Sequence, residues 1–167
     1  RSPWTMFTCG RDFTLVDTHG KTRNLHEFRG KAVLVDFSAE WCPPCISEAD
    51  ALENIWQDYK GRGVEFVSVI FDEEVNGQDW NGRPTPAECR LWEIRTPSPN
   101  HSFECWVDSA VCSTSPCNGA RAAWPLYNRY GAVPTNVILN QGLGVSFSMA
   151  GWSETSFRAE LNRLIGT

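Results

Sequence analysis

Ala32-Val33-Leu34-Val35-Asp36-Phe37-Ser38-Ala39-Glu40-Trp41-Cys42-Pro43-Pro44-Cys45 is the stretch whose reading decides the fold. From Lys31 to Ser38 it is nearly continuous in apolar residues, as expected of a central strand covered on both faces. After Pro44, apolar residues at Ile46, Ala49, Leu52, Trp56 and Tyr59 recur at helical spacing, and Gly61 and Gly63 supply a stop. Val64 to Phe71 is a second apolar run. Strand, crossover helix and strand make one βαβ unit with a parallel pair, and the two cysteines fall at its first turn.

Working outward, residues 1 to 10 read as an irregular lead-in, and Phe13 to Asp17 as a short strand followed by a turn at Thr18 to Lys21. Asp72 to Pro84 is polar and glycine-containing and reads as a loop. Thr85-Pro86-Ala87-Glu88 has the form of a capping box with proline at the first helical position, predicting a helix to about Arg95. Phe103 to Val107 suits a short strand, Cys112 to Gly119 is turn chemistry, and Ala120 to Tyr130 reads as helical. Thr135 to Leu139 and Val145 to Met149 flank a glycine-rich turn as a hairpin. From Ser153, Phe157, Leu161, Leu164 and Ile165 form a closing amphipathic helix. The expected class is α/β, and the length and 41% hydrophobic content suit one domain spanning 1–167.

The net charge of −5 gives no basic field for a phosphate backbone, so nucleic acid is not an expected partner. No apolar run approaches the roughly 18 to 20 residues that span a bilayer. The chain starts without Met, which leaves open membrane anchoring through an upstream segment removed by processing. Seven cysteines favour an oxidising compartment, and the odd number leaves at least one thiol unpaired within the chain.

A thiolate is the nucleophile in disulfide exchange, and a helix N-terminus stabilises it. Cys42 is placed for that role. Cys45, one turn further in, can attack a mixed disulfide at Cys42 and release the substrate. Pro43 and Pro44 stiffen the intervening turn. The competing readings are an inert structural bridge and half of a zinc site, but no second ligand pair of similar spacing exists, and no metal or other cofactor is expected. Asp36 inside an apolar strand would be costly unless it accepts a proton or finds a partner, so its pKa should be raised; otherwise it points to solvent at a strand end. Glu48 lies three residues after Cys45 on the same helical face, where it could exchange protons with the buried sulfur or be an ordinary surface carboxylate.

These residues resemble the thioredoxin superfamily, and within it the TlpA-like and ResA-like extracytoplasmic thiol–disulfide oxidoreductases of bacteria. The resemblance covers Phe13 to Gly30, Val33 to Cys45 and Ala132 to Leu164. It implies a thioredoxin-like fold, a central mixed β-sheet flanked by helices, with insertions in the middle of the chain at 72–84 and 112–119. It implies that Cys42 is the exposed nucleophile and Cys45 the resolving thiol. It also implies that Pro134 is a cis-proline facing them, with the Val133 backbone pairing to a bound substrate segment. Asp36 matches the buried acid of thioredoxin and Glu48 the glutamate of ResA-like proteins, so the proton acceptor has two candidates. Trp41 is a candidate substrate contact. Cys9, Cys89, Cys105, Cys112 and Cys117 lie outside the shared motif; two structural disulfides plus one free thiol is the preferred reading, with Cys112 and Cys117 the closest pair in sequence.

The function this resemblance implies is electron exchange between Cys42–Cys45 and protein thiols or disulfides, apocytochromes among them, with an unidentified redox partner, in the periplasm or cell envelope. A thiol peroxidase is the enzymatic alternative, although the Pro-x-x-x-Thr/Ser-x-x-Cys arrangement is missing before Cys42. A non-catalytic thioredoxin-fold binding module is the alternative of a different kind.

Overall fold

The computed structural model describes residues 11–71, 74–75, 78–79, 84–94, 101–109, 123–127 and 129–167. Its strands are β1 (Thr14–Asp17), β2 (Thr22–Asn24), β3 (Ala32–Ser38), β4 (Val64–Ile70), β5 (Glu74–Val75), β6 (Gln78–Asp79), β7 (Glu104–Val107), β8 (Thr135–Leu139) and β9 (Val145–Ala150). Seven of them form one mixed sheet in the order β2-β1-β7-β4-β3-β8-β9, while β5 and β6, among the described residues, pair with each other. β3 runs parallel to β4 and antiparallel to β8, and β4 is parallel to β7.

The strand read as central is central: every residue of β3 is buried. Because successive side chains of a strand point to opposite faces, β3 feeds two separate cores. Val33, Val35 and Phe37 pack with Phe13, Leu25, Phe28, Trp106 and Leu139 on one face. Ala32 and Leu34 pack on the other with Leu52, Ile55, Phe66, Phe157 and Leu161, where helices α1 (Pro43–Tyr59) and α4 (Glu154–Ile165) cover the sheet. Asp36, next in that alternation, faces the helices.

Helix α1 starts at Cys42 as N-cap and ends at Lys60, after which Gly61 takes a left-handed φ of 77°. Helix α2 (Pro86–Ile94) starts as its capping box requires. The Thr85 hydroxyl accepts from Ala87 N at 3.2 Å, and the Glu88 carboxylate accepts from Thr85 N at 2.6 Å. In α4 the Ser153 side chain caps Ser156 N, and Gly166 closes the helix in the left-handed region.

Four features depart from the sequence reading. The stripe that α1 buries is Cys45, Glu48, Ala49, Leu52, Ile55 and Tyr59, while Ile46 and Trp56 are only half-buried. A stripe sought among apolar residues alone shifts sideways when one inward position is a glutamate. The 72–84 loop carries the short pairing of β5 with β6. The helix expected over Ala120 to Tyr130 is, among the described residues, α3 (Trp124–Tyr127) alone. Strand β2 and the 3₁₀ turn Leu25–Phe28 were not read from the sequence; Asn24 caps that turn through a reciprocal pair with Glu27.

Candidate active site

Cys42 and Cys45 form a disulfide with their Cα atoms 5.3 Å apart, at the point where β3 hands over to α1. Pro43 and Pro44 occupy the first two helical positions and have no N–H, so the first free donor of the helix belongs to Cys45. That N–H points at Cys42 Sγ at 3.2 Å. The first turn carries no acidic residue, so nothing there opposes a negative sulfur. Cys42, expected as the exposed nucleophile, is only 3% exposed, and Cys45 is fully buried. The correction has a local cause: Cys42 belongs to an apolar cluster with Ala39, Ile70, Phe71 and Trp92, against which half-buried Trp41 and Val133 also pack. The two prolines between the sulfurs are the exposed part of the motif.

The Val133–Pro134 peptide bond is cis, the isomer that the resemblance implies. Pro134 itself is buried, and its carbonyl accepts from Gly151 N at 2.7 Å.

Beneath the disulfide lies a polar row inside an otherwise apolar face. Register places Asn136 of β8 beside Asp36 of β3, Asp36 beside Ser68 of β4, and Ser68 beside Cys105 of β7. Asp36 is 1% exposed and accepts from Ser38 Oγ at 2.7 Å and Ser68 Oγ at 2.6 Å. Burial pushes its carboxyl up to about 6, although both hydroxyls pull the other way. Glu48, fully buried on α1, accepts from Asn136 Nδ2. Burial first, and then the charge of Asp36, push the Glu48 carboxyl up to about 10. Neither carboxylate is the solvent-facing group that its competing reading supposed.

The second disulfide joins Cys89 of α2 to Cys105 of β7, with both residues at 1% exposure or less. Cys9, Cys112 and Cys117 lie outside the described residues, and with them the pair closest in sequence, Cys112 and Cys117. Among the described residues no group of three His, Cys, Asp or Glu side chains could hold a metal ion, and no helix is long and apolar enough to cross a membrane.

Sequence reasoning missed Ser38, Ser68 and Asn136. Each is a polar residue inside an apolar strand, the signal that singled out Asp36: Ser38 lies two positions along the same face of β3, and Ser68 and Asn136 become Asp36's register partners once the strand order is known.

Fold and site together define the class: a thioredoxin-like protein with a Cys-Pro-Pro-Cys pair opening its first long helix. More particularly, residues 9–90 match the AhpC/TSA family model. Over 62 residues the chain is 40% identical to thiol-disulfide oxidoreductase ResA of Bacillus subtilis and 36% identical to ResA of Bacillus thuringiensis. Those matches cover 37% of this chain and 35% and 36% of the relatives, so the chain spans about a third of the length of the curated relatives it matches. Among solved structures it resembles a thiol:disulfide interchange protein of the thioredoxin family from Chlorobium tepidum (TM-score 0.66, 21% identity, covering 95% of this chain and 97% of that one). It also resembles a secreted Mycobacterium tuberculosis disulfide oxidoreductase homologous to E. coli DsbE (TM-score 0.62, 18% identity, 91% and 96% covered). At such identities these two likenesses show the fold.

Proposed function

We propose that this chain is a thiol–disulfide oxidoreductase that exchanges electrons between Cys42–Cys45 and protein thiols or disulfides. The observation that carries the reading is the disulfide at the N-terminus of α1, with the helix's first free N–H on Cys42 Sγ. In the oxidising direction a substrate thiolate attacks Cys42 Sγ, the Cys42–Cys45 bond breaks, and its electron pair leaves on Cys45 Sγ, which takes a proton. A second substrate thiolate then attacks the substrate sulfur and releases Cys42 as a thiolate. Run backwards, the same steps reduce a substrate disulfide.

In this reading Glu48, three residues along the helix from Cys45, is the proton donor, and Asp36 is the charge that keeps it protonated. Trp41, Val133 and cis-Pro134 form the rim that receives the substrate chain. An envelope or secreted location is part of the proposal. The buried Cys89–Cys105 bridge supports it, as does the likeness in fold to a secreted disulfide oxidoreductase of Mycobacterium tuberculosis and to an exposed lipoprotein thioredoxin of Streptococcus pneumoniae.

Insulin reduction in dithiothreitol tests the proposal. Cys42→Ser should reduce turnover to the uncatalysed background, and Cys45→Ser should accumulate a mixed disulfide visible by mass spectrometry. Wild-type turnover in Cys42→Ser would overturn it.

A further inference from the structure

Four buried side-chain polar atoms among the described residues have no hydrogen-bond partner, and two of them belong to residues already bonded to each other: Glu48 Oε2 and Asn136 Oδ1. Both are acceptors if Glu48 is ionised, and both residues are fully buried. An unsatisfied buried acceptor is costly, and two on one hydrogen-bonded pair of residues are costlier.

We propose that Asn136 holds Glu48 as a neutral carboxylic acid through a two-point acid–amide pair, storing one proton behind the disulfide. A carboxylic acid presents an acceptor and a donor on one edge, and a primary amide presents a donor and an acceptor in the matching order. Asn136 Nδ2 already donates to Glu48 Oε1. One proton on Oε2 turns the two orphaned acceptors into a donor and an acceptor, and Oε2–H then donates to Oδ1.

The amide cannot be reversed without loss. Its other N–H donates to the Gly151 carbonyl at 3.1 Å, and a flip would set Oδ1 against that oxygen. Gly151 N in turn donates to the Pro134 carbonyl, so the amide that orients the acid is anchored to the cis-proline turn. The groups packed around Glu48 favour the neutral form. Asp36 of β3 brings negative charge, held by Ser38 and Ser68. The row residues from β4 and β8, Ser68 and Asn136, do not titrate. Cys42 and Cys45 on its own helix are disulfide-bonded, and α4 buries only apolar Phe157 and Leu161. A second anion beside Asp36 in a buried site is disfavoured. Asn136 is thus a positioning residue: it acts on the sulfurs through Glu48.

The use of the stored proton rests on the exchange reading, but its detection does not. Infrared spectra of the oxidised protein at neutral pH should show a protonated carboxyl C=O band that Glu48→Gln removes. In Asn136→Leu that band should move to higher frequency, because both of its hydrogen bonds are gone. In the wild type, the Asn136 side-chain amide resonances should shift with pH at the same midpoint as the Glu48 carboxyl, above neutrality. An absent Glu48 band, or one unmoved in Asn136→Leu, overturns the proposal. If Asn136→Leu does not fold, Asn136 resonances that ignore the Glu48 titration overturn it. Absent insulin turnover with an intact, Asn136-dependent band would overturn the exchange reading and leave the acid–amide pair standing.

Discussion

The two disulfides sit in one apolar cluster and are both buried, yet their settings differ in every respect that governs thiol chemistry. Cys42–Cys45 spans three residues, caps a helix and has two buried carboxyls behind it. Cys89–Cys105 spans sixteen residues and ties α2 to β7, with neither cysteine capping a helix. Burial alone therefore does not tell a working bridge from a staple. The difference lies in donors, nearby protons and loop length: the first setting favours a leaving thiolate, and the second restricts the unfolded chain.

Trp92 is the most direct way to break the comparison, because it is fully buried in the cluster that both bridges share, and its indole N–H has no partner to lose. Trp92→Ala should lower unfolding stability by about 3–5 kcal/mol in urea melts. A loss below 1 kcal/mol would mean that the bridges do not depend on a common core. Replacing Cys89 and Cys105 together by Ala should cost about 3 kcal/mol, the value for a loop near this length, while insulin turnover survives. Turnover lost in a protein that is still folded would make the second bridge part of the chemistry.

Asp36 gives the next effect, through pH. Its folded pKa of about 6 lies above the ordinary 3.8, so ionisation works against the fold. Its stabilising preference for the protonated state is complete below about pH 4 and lost as pH rises toward 6. Between pH 3 and pH 7 the stability of Asp36→Asn should therefore gain on the wild type by up to about 3 kcal/mol, measured by denaturant titration. A pH-independent difference would mean that Asp36 is not held as described. The smallest effect falls on the staple's own helix. Thr85→Ala should cost about 1 kcal/mol by removing the α2 cap, and should leave the Cys42–Cys45 redox potential unchanged.

Much of this was legible in the sequence for a physical reason: a strand buried on both faces and a helix with proline at its start announce themselves by pattern alone. The Lys31 to Ser38 run, the stop at Gly61, the Thr85 capping box and the 135–149 hairpin all follow local rules. What stayed hidden depends on lateral neighbours. Ser68 and Asn136 become partners of Asp36 and Glu48 only when strand order and register are known. Cys89 finds Cys105 only because α2 packs on β7, which no spacing rule expresses. Burial of Cys42 was likewise invisible, since the cluster that encloses it draws on β4, β7 and α2 as well as on its own motif.

The row of Asn136, Asp36, Ser68 and Cys105 also bears on how the molecule comes into being. Its four members belong to strands separated by as much as a hundred positions along the chain, and Asn136 arrives last from the ribosome. Until the C-terminal hairpin docks against β3, a growing chain holds its cysteine pair, Asp36 and Ser68 but lacks the amide opposite Glu48. Long-range strand pairing is the slow part of folding. The proton store proposed here is therefore a late product of synthesis, and a partly made chain would have sulfurs without the chemistry that the finished sheet lends them.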